Sequence, residues 1–498
     1  MAGFVTLVSM DTPKGRRWFP SIPKSIWVFV AIYSLVFFAL ACRKFVVMNS
    51  NSGDTAILVN AFWHTIHGKL FYSTYMGMSH LGIHATYLIL LFVPLFALAP
   101  SAYTLFLVQT LMISVSGLVF FCLARRVTGD LRTASLMTVA YLFYPSIVTN
   151  HVNQIHFEHF ALPFLMGALL CLEEKKFWGF MVCALLAMSA MENIFITVIG
   201  IAVYALVSRR GVKWGVAPLA LAMIYTAFVF HIATPHFSAG KAYFVGSYFG
   251  ELGNTPSEAL LTVLRRPQYF FEILTSPDRL IYLLEMLQPL LLLIPFGSWG
   301  WLVAAPSVGT NLVIPDGAFR VVAWHFNPTT GAMLCVAALL GLTKWAGWLQ
   351  RKFGWTDARV MLAFGMCVLS IGSWPLWFNL EDYRSPDVYE TLEEARELVP
   401  PTKSVLSPHT MIGHFADREA AVIMQQFNPT VLRQDTWPKE KMYDLDYIIL
   451  NGNERRFPLD AVTRDLVMSY YTNTNYELIL NENNVFVFRR HESVPLTP

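Results

Sequence analysis

Charge is scarce in this chain. Of 498 residues only 14% are Asp, Glu, Lys or Arg, against 55% hydrophobic, and the formal balance is +3. So small a surplus gives no argument for a nucleic-acid partner, and none is expected. Usable cysteine pairs are lacking too. The six cysteines, at 42, 122, 171, 183, 335 and 367, all fall in apolar runs, with no disulfide framework and no CxxC metal site. The start, MAGFVTLVSMDTPKGRRWFPSIPK, is basic but has no short apolar run ending in a small-residue cleavage motif, so residues 1–25 read as a cytoplasmic tail before an uncleaved anchor. Nor is there a pair of Gly/Pro-broken apolar segments at matching positions of two halves, the mark of many transporters.

What is present is apolar length. A mean hydropathy of +0.48 over a chain this long exceeds what one soluble core can bury, and the runs are long enough to span hydrocarbon. The class is a polytopic all-α membrane protein. Lysine and arginine resist translocation and set the orientation. Lys14, Arg16, Arg17 and Lys24 put the first span, Ile26–Met48, running outward, and Arg125 and Arg126 bring Tyr103–Ala124 back in. Gly82–Ala99 is apolar but has no place in this parity, so it is expected to be a re-entrant or interfacial helix on the outer side. Leu136–Asn150, Glu158–Leu172, Phe177–Met191, Ile194–Val207 and Trp214–Ala233 then alternate. Leu280–Pro295 and Trp299–Ile314 are expected as a hairpin of spans, followed by Thr329–Leu342 and Val360–Phe378. The total is about eleven transmembrane helices in residues 26–378, with outer loops at 49–102 and 234–279; the latter mixes aromatic and charged residues as headgroup-zone helices do. From 379 to 498 the chain changes character. EDYRSPDVYETLEEARELVPP has helical spacing, and TKSVLSP, AAVIMQQ, LDYIILN and NVFVFRR are short β-branched runs between turn residues, predicting a small extracytoplasmic α/β domain. Its histidines, His409 and His414, show no motif, and its expected role is structural: a lid, a docking surface or a carrier-binding module. The N-terminus is expected in the cytoplasm, and the membrane is expected to be a bacterial inner one, with the C-terminal domain periplasmic or extracellular.

The polar outliers collect on one side. Asp54 opens SGDTAILVNAFWHTIHGKLFYSTY, with His64, His67, His80 and His84 following; an acid so placed either caps the helix Thr55–His67 or serves a membrane-level cavity. His151, His156, Glu158 and His159 lie in NHVNQIHFEHFALP, and Glu192 in SAMENIF. His236, Lys241 and Tyr243 lie in the long outer segment, and Asp316, Arg320, His325 and Asn327 in PDGAFRVVAWHFNP. Burying each alone would cost several kcal/mol, so mutual pairing, a hydrated cavity or a bound cation is expected. Asp54 has the chemistry of a general base. Arginine and histidine, with a divalent metal held by Glu or His, suit a phosphate leaving group. His156 and Glu158 are metal candidates in a short HxEH pattern that polar contacts at helix ends explain as well. Arg320 reads equally as a phosphate clamp or a headgroup snorkel, and Glu192 as a site residue or the partner of Arg320.

Several stretches together carry a resemblance: GDTAILVNAFWHTIHGKLFYST, HLGIHATYLILLFVPLFAL, LARRVTG, IHFEHFALP, AMEN, LGNTPSEALLTVLRRPQYFFEILTSPDRLIYLLEMLQPL and WHFNPTTGAML. Over about residues 50–345 they resemble the domain of unknown function 2079, an uncharacterised membrane-protein family distantly similar to the GT-C glycosyltransferases. The resemblance implies a GT-C-like fold, a polyprenyl-phosphate-linked sugar as donor, and a catalytic acid in the first outer loop, where Asp54 stands. His84, His156, Glu158, Glu192 and His325 are kept. Val59, Ile83, Gln154, Phe157, Met191, Asn193 and Asn327 replace the acids, proline, lysine and histidine of the family patterns DLGIFDQ, GDH, DFHPE, KED and HFHYS. Two functions follow: a GT-C-like transferase with Asp54 as base and His84, His156, Glu158, Glu192, Arg320 and His325 binding substrate or phosphate, or a catalytically degenerate subunit packed against other membrane proteins. Membrane lipids are expected neighbours in both.

Overall fold

The structure is a computed structural model, and it describes residues 21–49, 52–75, 77–238, 250, 252–253, 256–423, 445–453 and 475–491. Five helices among them are long and apolar enough to cross a membrane: Lys24–Val46, Ala102–Thr128, Lys213–Phe237, Pro328–Phe353 and Ala358–Leu376. At 1.5 Å per residue the 27 residues of Ala102–Thr128 extend about 40 Å. Ser101 caps that helix at its start and Gly129, with φ of 70°, ends it in the left-handed conformation that a Cβ disfavours. Shorter apolar helices lie between them: Leu131–Leu142, Glu158–Glu173, Phe177–Met188 and Ile194–Val207. Ala102–Thr128 and Glu158–Glu173 pack along each other and bury most of their side chains, whereas Lys24–Val46 keeps an outward row, Trp27, Val28, Ile32, Leu35 and Val36, exposed as a lipid-facing stripe requires.

Two expected spans take a different form. The stretch read as Leu280–Pro295 and Trp299–Ile314 holds a helix at Pro277–Leu287, 3₁₀ turns at Gln288–Leu290, Ile294–Gly297 and Trp299–Val303, and a helix at Ala305–Val313. Pro289, Pro295 and Pro306 remove the N–H groups a continuous helix would need, and Leu291 and Leu292 turn the chain with φ of 57° and 55°. The break lets backbone press against Pro328–Phe353: a Cβ at Gly341 would lie 1.9 Å from the Ile294 carbonyl oxygen. The stretch Gly82–Ala99 is likewise not one helix. It is a 3₁₀ segment at Tyr87–Phe92 running into a single α-helical stretch at Val93–Leu98, too short to cross.

The C-terminal residues form a five-stranded sheet. With β1 (Tyr72–Ser73) and β2 (Met78–Ser79) pairing as a hairpin earlier in the chain, the later strands are β3 (Val405–Ser407), β4 (Ala421–Ile423), β5 (Tyr447–Asn451), β6 (Tyr476–Glu482) and β7 (Val485–Arg490), in the order β4-β3-β5-β7-β6. The first three run parallel and are buried along their whole length, which is why VLS, AVI and YIILN read as unbroken apolar runs. Strands β6 and β7 close a hairpin through Asn483 and Asn484, both at positive φ as a type I′ turn needs.

This sheet is clamped to the first loop. Asn60 in the helix Gly53–Ile66 donates to the carbonyls of Ala416 and Arg418, both at 3.0 Å, and Thr74 donates to Ala421 O at 3.0 Å. Ser52 Oγ donates to His409 O at 2.8 Å, and Lys44 pairs with Asp382 at 2.9 Å.

Candidate active site

The helix Gly53–Ile66 starts at the mouth of a cavity of about 460 Å³. Asp54 is in its first turn and not its cap residue, which is Ser52. Its carboxylate, half-exposed, makes no helix cap; instead its N–H donates to Gln154 Oε1 at 2.8 Å. A second glutamine fixes the same connection from behind. Gln109 accepts the His156 N–H at 2.8 Å and donates to the carbonyls of His151 and Gln154, fixing the backbone between the helices Pro145–His151 and Glu158–Glu173.

The cavity is bordered by Asp54, His80, His84, His156, Glu158, Glu192, Asn193 and His325, with Ile57, Leu58, Phe157, Met191, Phe195, Phe230, Phe319 and Phe326 among its apolar neighbours. Asp54, His84, His156, Glu158, Glu192 and His325 are thus brought together from five separate segments. Arg320 is not among them. Its guanidinium pairs with Asp278 at 2.7 Å and donates to the carbonyls of Ile314 and Pro315, bracing the 310–320 loop. Glu192 is accordingly no partner of Arg320: it accepts from His84 Nδ1 at 2.8 Å and from Ala85 N at 3.0 Å. Among the described residues no lysine or arginine lines the cavity.

Electrostatics divide the imidazoles. Burial works against a charged His84, but Glu192 more than offsets it and raises the pKa above the ordinary value, which favours the protonated form of this ring over that of its neighbours. His80, whose ring centroid lies 5.3 Å from that of His84, is driven down to about 3 by burial and by the neighbouring charge. His156 and His325 stack at 4.4 Å, and burial lowers both, His156 further by its neighbour His325. His156 Nδ1 lies 3.9 Å from Asp54 Oδ2. Glu158 is 1% exposed, and its Oε1 has no hydrogen-bond partner among the described residues. In the HxEH pattern, then, His156 turns to Asp54 and His325, and Glu158 stands apart from that group.

The other polar outliers have local duties. His151 hydrogen-bonds Thr110 Oγ1 and Tyr33 in the core; Asn327 binds Tyr282 and Asn311; Asp316 accepts from Ala318 N. His64 bonds the Glu419 carbonyl, while His67 and His236 are exposed. Lys241 and Tyr243 lie outside the described residues. One histidine is placed where no motif pointed. His409 lies against Gly53, where a Cβ would come within 2.4 Å of its ring, and Asp54 is among the charges acting on it. The only local signal was the glycine before the acid; the contact itself joins residues more than 350 apart.

Two solved structures share this architecture over nearly the whole chain. ArnT from Cupriavidus metallidurans, in a crystal structure bound to undecaprenyl phosphate, superposes with a TM-score of 0.52 at 12% identity, covering 95% of this chain and 99% of that one. The apo form gives 0.52 and 12%, with 93% and 98% covered. At that identity the likeness establishes the fold alone. No curated protein matches the sequence. The family model described as a predicted membrane protein, the domain of unknown function 2079, matches residues 44–487, and the chain belongs to that family.

Proposed function

We propose that this protein is a GT-C-like membrane glycosyltransferase that takes a sugar from a polyprenyl-phosphate donor and passes it to an acceptor at the outer face. The observation that carries the reading is the convergence of Asp54, His84, His156, Glu158, Glu192 and His325 on one cavity whose remaining wall is mostly apolar. Such a wall suits an isoprenoid chain, and the polar cluster suits its phosphate. In this mechanism Asp54, the most exposed of the acids, removes the proton of the acceptor hydroxyl or amine as that atom attacks the anomeric carbon. The bond to the donor phosphate breaks, and the leaving oxygen gathers charge. With Arg320 engaged by Asp278, the cation available for that charge is His84, held by Glu192. The domain of residues 379–498 is proposed as the extracytoplasmic cover of this mouth, since His409 and Ser52 join it to the start of the Asp54 helix. The fold match to ArnT, which has been solved with undecaprenyl phosphate, supports a lipid of that class.

A second reading has its own support. Phe157, Met191 and Asn193, which stand where the family pattern has a proline, a lysine and an acid, all border the same cavity. Gln154 and Asn327, at positions of an acid and a histidine, serve as structural hydrogen-bonding groups. A degenerate subunit, kept for its packing against other membrane proteins, would show these features. The deciding experiment follows label from a polyprenyl-phosphate sugar in detergent or vesicles. Transfer that falls about 10²–10⁴-fold in Asp54→Asn, with unchanged folding, sustains the enzyme. Equal activity in Asp54→Asn removes that residue from the mechanism, and an inactive wild type that co-purifies with fixed partners favours the subunit.

A further inference from the structure

We propose that Asp54, His156 and His325 form a site for one divalent cation of the first transition row, with zinc-like and not magnesium-like ligand preference. One carboxylate oxygen and two ring nitrogens from these residues all lie within 4.8 Å of one another. They arrive from a helix start, an interhelical connection and the 321–327 loop, so no local sequence spacing announces them. The short HxEH pattern pairs His156 with Glu158, whereas the fold pairs it with residues 102 positions before and 169 after.

Three further observations favour a ligand here over mutual packing. Among the described residues, neither ring of the pair makes a hydrogen bond, and the Asp54 carboxylate makes none either, its approach to His156 being 3.9 Å. The backbone behind two of the three is nonetheless fixed, Asp54 through Gln154 and His156 through Gln109. Side-chain donors are therefore held in place while their lone pairs stay unspent. Last, Glu158 Oε1 is buried in the same cavity without a partner among the described residues, where a cation's remaining coordination positions would carry a water or a substrate oxygen for it to meet.

The donor set selects the metal. Two imidazoles and one carboxylate with open positions is the arrangement of catalytic zinc and of other first-row dications, whereas magnesium demands an octahedron of oxygens. Bonds of about 2.0–2.2 Å in a tetrahedral site put ligand atoms about 3.4 Å apart. Binding therefore draws the three inward, a movement the half-exposed Asp54 side chain accommodates. The site depends on these side chains and not on the transferase reading, since an inactive subunit would hold the cation equally well.

The test uses the full, tag-free chain in mild detergent, stripped with chelator and titrated with Co²⁺ and Zn²⁺. One equivalent of Co²⁺ should bind per chain with the visible absorption of nitrogen ligation, be displaced by Zn²⁺, and be unmoved by excess Mg²⁺. His325→Ala and His156→Ala should each weaken binding at least about tenfold, a lower bound since losing even an outer-shell partner costs that much. His67→Ala, at an exposed histidine, should leave it unchanged. Thermal unfolding of each apo variant establishes that it is folded, and His325→Cys, which keeps a soft ligand, should retain Zn²⁺ where His325→Ala does not. Stoichiometric binding that survives in both alanine variants, or a folded wild type that takes up no metal, overturns the proposal whether or not sugar transfer is found.

Discussion

The two ends of the same helices treat charge in opposite ways. At the far end of Ala102–Thr128 and Glu158–Glu173, about 22–25 Å from the cavity, Arg126 meets Glu174 at 2.7 Å and Arg210 meets Glu173 at 2.5 Å. Asp130 there caps the next helix through Thr133. Every one of those groups has an internal answer. At the cavity end, among the described residues, Asp54, His156 and His325 make no side-chain hydrogen bond, and Glu158 Oε1 and both nitrogens of His80 are buried without one. The paired charges are answered within the chain, whereas the cavity's acids and imidazoles keep bonding capacity that a ligand could use.

The largest effect expected from this contrast is on chemistry. Asp54→Asn alters one oxygen at a half-exposed position, so it should leave the unfolding temperature of the purified chain within a degree or two while lowering transfer about 10²–10⁴-fold. A variant that unfolds would place Asp54 with the structural charges instead.

Next in size is Glu192→Ala. It strips the partly buried His84 ring and the buried Ala85 N–H of their shared acceptor, and should cost about 3 kcal/mol, measured by chemical unfolding in detergent. Its pH dependence has a definite sign. Because the folded pKa of His84 lies above that of the unfolded chain, the stabilising contribution is fully present below about pH 6.5. It is lost as pH rises through the raised folded value. Glu192→Gln keeps an acceptor for the ring but removes the negative charge. The slope of unfolding temperature against pH above 6.5 should therefore flatten in that variant. A slope identical to wild type would show that His84 is neutral in the folded protein.

How far the sequence leads depends on whether the deciding forces are local. The Lys24–Val46 and Ala102–Thr128 helices follow from unbroken apolar length and from basic residues at their ends, and the strands at 405, 421, 447 and 485 from β-branched runs bounded by turns. The gathering of Asp54, His84, His156, Glu158, Glu192 and His325 was foreseeable because buried ionisable groups must be answered somewhere. Which group answers which was not. Arg320 turns to Asp278 and not to Glu192, and its guanidinium takes the carbonyls of Ile314 and Pro315 that the end of the helix Ala305–Val313 leaves open. His409 reaches Gly53 only through a sheet folded from the other end of the chain.

The smallest expected effect sets the control. Arg126→Ala removes an ion pair whose side chains are 36% and 30% exposed, so water already screens it and long side chains gave up entropy to form it. The loss should be about 0–1 kcal/mol and shrink further in salt. Sugar transfer and Co²⁺ uptake should be untouched, because Arg126 lies about 25 Å along its helix from Gln109, through which that helix supports His156. If Arg126→Ala instead matches Glu192→Ala in its cost, then satisfied and unsatisfied ends do not differ in kind, and pairing within the chain ceases to separate scaffold from site.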